Sequence, residues 1–173
     1  MLESFIQRRL QSDSDYLLFA KHPPVYTTGS DERDFGVETL RCDRGGSVTY
    51  FDEGSLMIYF CFLVPYPPLF FKRVVKTFSQ ILRRYDHKIR YDHKRPGFYI
   101  QNKKIASLGF RYRQNVSKHG VSLHLATDLD AFNKIPPCGL EDITATSFAN
   151  EGIEYDEAKL KSQIQKAVHE RFF

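Results

Sequence analysis

A thiol and an amine are the side chains in this sequence whose settings point to group-transfer chemistry. Cys138 stands in Ile135-Pro136-Pro137-Cys138-Gly139. Two prolines stiffen the approach, and Gly139 lets the backbone turn sharply, leaving nearby amide N–H groups free to face an oxyanion. The thiolate is the reactive form, and a neighbouring ammonium favours it. Lys104, in Lys103-Lys104-Ile105-Ala106-Ser107-Leu108-Gly109, opens an apolar run with no further charge until Arg111. At a strand mouth such a lysine can be desolvated towards its neutral, basic form. Taken alone, each has a more ordinary reading: Cys138 as a buried structural cysteine and Lys104 as a solvated turn lysine.

Other residues carry weaker signals. Arg44-Gly45-Gly46 precedes a strand, so a ligand can come close to the backbone while the arginine clamps a polar group. It also reads as a simple turn. His119-Gly120 opens another strand, and a lone histidine there is more often structural than catalytic, as are His22 and His124. Cys61 lies among Phe60, Phe62 and Leu63 and reads as core, and Cys42 as packing near Arg44. No paired-cysteine zinc pattern occurs, and no GxxxxGK, GxGxxG, HExxH or GxSxG, so neither a metal nor a nucleotide cofactor is expected.

These groups need a fold to position them. The 173 residues fit one domain spanning 1–173, with 42% hydrophobic and 27% charged residues. The formal charge of +4 favours acidic partners. Basic residues are spread without a run of five, which argues against a nucleic-acid binder. Three separated cysteines fit a reducing cytoplasm, and Met1 is not followed by a signal-peptide pattern. The apolar stretch 56–71 is interrupted by prolines and is too short to span a membrane. No repeats, low-complexity segments or interdomain linker are read.

Apolar spacing predicts helices over 2–10 and 70–85, the second with Val74, Val75, Phe78, Ile81, Leu82 and Tyr85 on one stripe. A last helix is capped by Asp156, with Leu160, Ile164, Ala167, Val168 and Phe172 facing inward, and one helical turn falls in 128–134. Strands are expected at 16–20, 25–28, 47–50, 56–64, 98–100, 105–112 and 121–126. Turns fall at Asp52-Glu53-Gly54 and Asn102-Lys103, and 29–36 is polar and loop-like. Helices bracketing strands imply an α+β domain with a mixed, largely antiparallel sheet.

In order, HPPVYTTG (22–29), DRGGSVTY (43–50), KKIASLGFRYR (103–113), HGVSL (119–123), DLDAFNKIPPCG (128–139) and the later Thr146-Ser147 resemble the lipoyl/octanoyl transferase family of lipoate biosynthesis. The resemblance runs from about Tyr16 to Ser147. It implies a fold like the catalytic domain of biotin protein ligases and lipoate ligases. It also implies an octanoyl-acyl carrier protein donor, and as acceptor a lipoyl-domain lysine, in a 2-oxoacid dehydrogenase complex or the glycine cleavage H protein.

By that resemblance Cys138 is the acyl-thioester nucleophile and Lys104 its partner, with His119 and Gly139 in support. The substrate pocket falls to Arg44, Gly45, Gly46, Ser47, Val48, Thr49, Tyr50 and Phe51, then Ser107, Leu108 and Gly109, then Gly120, Val121 and Ser122. The octanoyl tunnel is expected from the segments carrying Tyr50, Leu108 and Val121. The family reads TYHGPGQ where this chain has Tyr50-Phe51-Asp52-Glu53-Gly54-Ser55, so Phe51 replaces a histidine and a charged turn replaces a glycine-proline one. His124 replaces a common asparagine, and the family carries a strand ahead of the first helix, inside which this chain starts. Two further readings stay open: a degraded member that only binds its protein partners, and an amidotransferase moving octanoyl or lipoyl groups between protein lysines.

Overall fold

The computed structural model describes residues 2–30, 34–135 and 143–173. In chain order the elements are α1 (Leu2–Gln11), β1 (Tyr16–Ala20), β2 (Val25–Thr28), β3 (Leu40–Arg41), β4 (Thr49–Phe51), β5 (Ser55–Cys61) and α2 (Pro67–Tyr85). There follow β6 (Arg90–Asp92), β7 (Gly97–Ile100), β8 (Lys103–Arg113), β9 (Val116–His124), α3 (Leu129–Phe132), β10 (Thr144–Ala145) and α4 (Glu157–Phe172).

Among the described residues a seven-stranded sheet runs β1-β5-β9-β8-β7-β6, with β10 beside β8, and a three-stranded sheet runs β3-β2-β4. The large sheet is antiparallel except where β10 pairs parallel with β8. Alternation of side chains divides its faces. Leu56, Ile58 and Phe60 of β5 join Val121 and Leu123 of β9 in the main core, against Val74, Phe78, Ile81 and Leu82 of α2 and Leu160, Ile164 and Val168 of α4. Each such side chain contributes roughly 1.5–3 kcal/mol by leaving water. Asp156 caps α4 by accepting from the Lys159 N–H at 2.9 Å.

The opposite face carries Met57 and Tyr59 of β5 and Gly120 and Ser122 of β9. The small sheet lies over this face, and the candidate site is the space between the two.

Three short strands were not expected from sequence: β3, β6 and β10. The β7–β8 turn is Gln101-Asn102, one residue earlier than expected, because Ile100 pairs with Lys103. The β9 strand begins at Val116, so His119 and Gly120 lie within it and do not open it. No described helix is long and apolar enough to cross a membrane.

Candidate active site

A cavity of about 360 Å³ lies between the sheets. That is within the usual size of a small-ligand site. Its walls follow from the two-residue period. Val25 and Thr27 of β2 pair with Phe51 and Thr49 of β4, and all four face the cavity. From the large sheet come Met57, Tyr59, Ser107, Leu108, Gly109, Gly120 and Ser122, and from the β3–β4 connection Arg44, Gly45, Gly46, Ser47 and Val48. Leu2, His22, Leu40, Cys42 and His119 complete the lining. Gly120 is required, because a Cβ there would lie 1.9 Å from the Ile58 carbonyl oxygen.

Two residues expected in the tunnel point elsewhere. Tyr50 alternates away from its neighbours Thr49 and Phe51 and packs with Val48, Phe132, Ile135 and Ala145. Val121 lies opposite Leu108 and enters the main core. Strand alternation sends the middle residue of a motif to the far face. Leu108, the partner of Val121, shares its face and packs against the main core while bordering the cavity.

The wall is amphipathic. Ser47 Oγ, Thr49 Oγ1, Ser107 Oγ and Ser122 Oγ are buried and have no partner among the described residues. Buried hydroxyls are nearly always satisfied, so a wall bearing four is built to receive polar atoms of a ligand or ordered water. At another part of the wall, Tyr59 and His22 Nε2 share a 2.6 Å hydrogen bond beside the Phe51 ring. Burial pushes the Tyr59 hydroxyl up to about 12 and lowers the His22 imidazole. Burial thus favours the uncharged form of both partners of this hydrogen bond.

Arg44 does not reach across the cavity as a ligand clamp would. Its guanidinium donates to the Thr27 carbonyl at 2.7 Å and Thr27 Oγ1 at 3.0 Å, so it clamps the loop to β2. His119 Nε2 contacts Asp43 Oδ1 at 2.7 Å, and Lys118 Nζ contacts Asp43 Oδ2 at 2.8 Å. Burial works against the Asp43 charge, yet hydrogen bonds from Lys118 and His119 hold its carboxyl at about 2. Burial outweighs Asp43 at His119 and lowers its pKa, so Lys118 supplies the positive partner at neutral pH. Cys42 is half-buried and its thiol is pushed up by burial, an environment for a packing thiol rather than a nucleophile.

Lys104 is 1% exposed. Between the pairs Phe98↔Ala106 and Tyr99↔Lys104, β7 advances one residue and β8 two. The extra residue, Ile105, makes a β-bulge. It turns Ile105 into the main core and Lys104 onto the face shared with Ser107 and Ser122. Lys104 Nζ donates to the Pro96 carbonyl at 3.2 Å and lies 5.5 Å from the Tyr99 ring centroid. Gly97 makes the room: a Cβ there would meet Lys104 Cε at 2.6 Å. Lys104 is not part of the cavity lining itself and lies beyond Ser107 on the same face.

Cys138 and Gly139 lie outside the described residues, as do residues 31–33 of the expected loop 29–36. The described chain on either side of 136–142 converges on Lys104. Asp52 Oδ2 accepts from the Asp128 N–H at 2.7 Å, and Asp128 in turn caps α3 through the Ala131 N–H. The charged turn that departs from the family pattern is thus the anchor of α3, with Ser55 Oγ donating to Asp52 Oδ1 at 3.1 Å. After α3, Asn133 Oδ1 accepts from Ala145 N–H at 2.8 Å, and Ala145 pairs with Lys104.

His124, discounted from sequence, is fully buried beside these groups. Its Nδ1 lies 3.2 Å from the Lys104 carbonyl and 3.1 Å from that of Thr146. Two acceptors require Nδ1 to carry the proton. Burial lowers its pKa to about 4, so the ring is neutral. It straps β8 and β10 together at Lys104, a role that only the partner positions reveal.

Residues 1–169 match the lipoyl protein ligase A/B catalytic domain family. An octanoyltransferase of Methylococcus capsulatus is 35% identical over 163 residues, covering 88% of this chain and 79% of that one. Lipoate-protein ligase A bound with ATP has a similar structure, with a TM-score of 0.79 and 16% identity over 99% of this chain and 78% of that one. The biotin protein ligase of Aquifex aeolicus follows at a TM-score of 0.50 and 17% identity, over 69% of this chain and 53% of that one. The α+β fold is therefore the one these ligases share, as the sequence motifs implied.

Proposed function

Since the chain belongs to the lipoyl(octanoyl) transferase family and is an acyltransferase, we propose that it moves an octanoyl group from octanoyl-acyl carrier protein to a lipoyl-domain lysine through a thioester on Cys138. The observation that carries this reading is convergence: an amphipathic cavity built from the family's motif segments, with Lys104 on the same face, and both flanks of 136–142 tied to the Lys104 strand. Residues 1–173 are read as one catalytic unit, working in the cytoplasm and without a cofactor.

In this mechanism Lys104 takes the Cys138 proton, and the thiolate attacks the thioester carbonyl. Backbone amides, that of Gly139 among them, hold the oxyanion. The carrier leaves as a thiolate and takes a proton from Lys104. The amine of the acceptor lysine, in a lipoyl domain of a 2-oxoacid dehydrogenase complex or glycine cleavage H protein, then attacks octanoyl-Cys138. Cys138 leaves, Lys104 takes the amine proton, and the amide product is more stable than the thioester, so no ATP is needed. Val25, Phe51 and Met57 face the alkyl chain, each buried CH2 contributing roughly 0.8 kcal/mol. Ser47, Thr49, Ser107 and Ser122 face its polar end. Phe51 narrows this cavity without filling it, which favours a working enzyme over a member that only binds its partners.

The test is intact mass after incubation with octanoyl-acyl carrier protein. One octanoyl adduct is expected, absent in Cys138→Ser and formed about 10²- to 10⁴-fold more slowly in Lys104→Met. An adduct that persists in Cys138→Ser overturns the mechanism. Acylation from an octanoylated lipoyl domain but not from the carrier favours the amidotransferase reading.

A further inference from the structure

A short repeat runs through this chain that reading for elements passes over. Residues 84–88 and 90–94 both read Arg-Tyr-Asp-His-Lys. The two copies are built alike. Tyr85 and Tyr91 each pack half-buried against the main core. Asp86 Oδ1 accepts from the Lys88 N–H at 2.7 Å, and Asp92 Oδ1 accepts from the Lys94 N–H at 2.8 Å. Each aspartate closes its own turn, and each turn leaves a histidine and a lysine, His87-Lys88 and His93-Lys94, exposed.

The repeat concentrates the charge of the molecule. Six of the 25 Lys and Arg and two of the 21 Asp and Glu fall within 83–95, so this segment carries +4, the formal charge of the whole chain. The two acids are occupied in the turns, and Asp92 also accepts from Arg95 at 2.7 Å. Arg90 donates to the carbonyls of His87 and Ile89, which leaves its charge unneutralised. Arg83, Arg84, Lys88 and Lys94 are exposed, without an ion pair among the described residues.

The patch also adjoins the chemistry. The hairpin from β6 to β7 leads directly into Pro96, whose carbonyl holds Lys104 Nζ at 3.2 Å. Arg95 lies 5.3 Å from the Tyr99 ring centroid, the same ring that Lys104 approaches.

Resting on the proposed function, we infer that 83–95 is the docking surface for the acidic protein that delivers the acyl thioester. Focused positive charge beside a reaction site raises encounter with an acidic protein and falls off with salt. The donor fits better than the acceptor, because its reacting group is a neutral thioester, whereas the acceptor brings an ammonium towards like charge. Charge on β6, the edge strand of the sheet, also blocks pairing with other chains. Charge reversal separates the two roles, since an acidic edge is still protected.

The experiment compares the parent with Lys88→Glu/Arg90→Glu/Lys94→Glu, none of which touches the cavity. Acylation of Cys138 is followed with octanoyl-acyl carrier protein and with the small neutral thioester octanoyl-N-acetylcysteamine, and binding of unacylated carrier protein is titrated directly. Expected is a tenfold or greater loss of kcat/KM with the protein donor, a flattened salt dependence, and an unchanged rate with the small donor. Carrier binding weakens by the same factor. An unchanged protein-donor rate, an equal loss with both donors, or a loss confined to the lipoyl-domain half-reaction overturns the assignment. If the parent forms no acyl-enzyme from either donor, the proposed chemistry is what has failed, and the binding titration still decides the docking surface.

Discussion

Gly97 offers a sharp test of whether Lys104 is positioned for chemistry. In Gly97→Ala the new Cβ would lie 2.6 Å from Lys104 Cε, 3.1 Å from Nζ and 3.1 Å from the Ala106 carbonyl oxygen. Carbon atoms rest at about 3.5–4.0 Å, so Cε must retreat by about 1 Å, and Nζ leaves the Pro96 carbonyl. The end of a lysine side chain is flexible, so the fold yields cheaply. Gly97 is not among the glycines with positive φ, and alanine there gains about 0.4–1 kcal/mol by restricting the unfolded chain. A displacement of that size costs a positioned catalytic group about 10²-fold, or about 2.7 kcal/mol in the barrier. Single-turnover acylation at saturating donor, read by quench and intact mass, should therefore slow about 10²-fold, with Tm unchanged or slightly raised. A folded variant that acylates at the parental rate refutes the positioning of Lys104 by this contact. Loss of rate together with a marked fall in Tm places the damage at the Ala106 carbonyl instead.

Three other substitutions follow from the site. Phe51→Ala removes a ring from the cavity wall and should shift preference from octanoyl towards decanoyl and dodecanoyl donors, at a stability cost of up to about 3 kcal/mol; competition between mixed donors, read by product mass, checks it. Asp52→Ala leaves the Asp128 N–H and Ser55 Oγ without their acceptor and should cost about 1–3 kcal/mol in urea unfolding, with acylation slowed as α3 loosens. His124 has a folded pKa of about 4, below the ordinary 6.5. The unfolded chain then binds the proton more tightly, so stability is full above 6.5 and falls as pH drops towards 4. Urea unfolding should show a loss of about 2 kcal/mol between pH 7 and pH 5, and His124→Asn should shrink that loss.

The longer elements were legible because their signals are local. The apolar stripe through Val74, Phe78, Ile81 and Leu82 specifies α2 without knowledge of its partner. The β-favouring residues Val25, Tyr26, Thr27 and Thr28 specify β2 in the same way. The short strands were not legible, because their partners define them. Thr144 and Ala145 form β10 only by lying beside Lys103 and Lys104. Parts of the motif segments border the cavity, but a motif is contiguous and a strand face is not. Tyr50 and Val121 were therefore carried to the wrong side of their sheets. Met57 and Tyr59 line the cavity, and no local pattern marked them. Their role depends on β5 facing the small sheet across a gap.

The placement of Lys104 follows from a single extra residue. In an unbroken ladder, β8 would alternate so that Lys104 shared the face of Ala106 and Leu108, inside the main core between sheet and helices. An unpaired ammonium there costs several kcal/mol. The bulge at Ile105 resolves this by exchanging the two neighbours: the isoleucine enters the core, and the lysine emerges on the cavity face with Pro96, Gly97 and Tyr99 around it. Deleting Ile105 would restore the ladder, and Lys104 would have to invert or the strand end unpair. The local sequence that looked like a simple apolar strand behind a lysine is thus an irregular strand. Its irregularity serves Lys104, for which no regular strand in this register would provide a place.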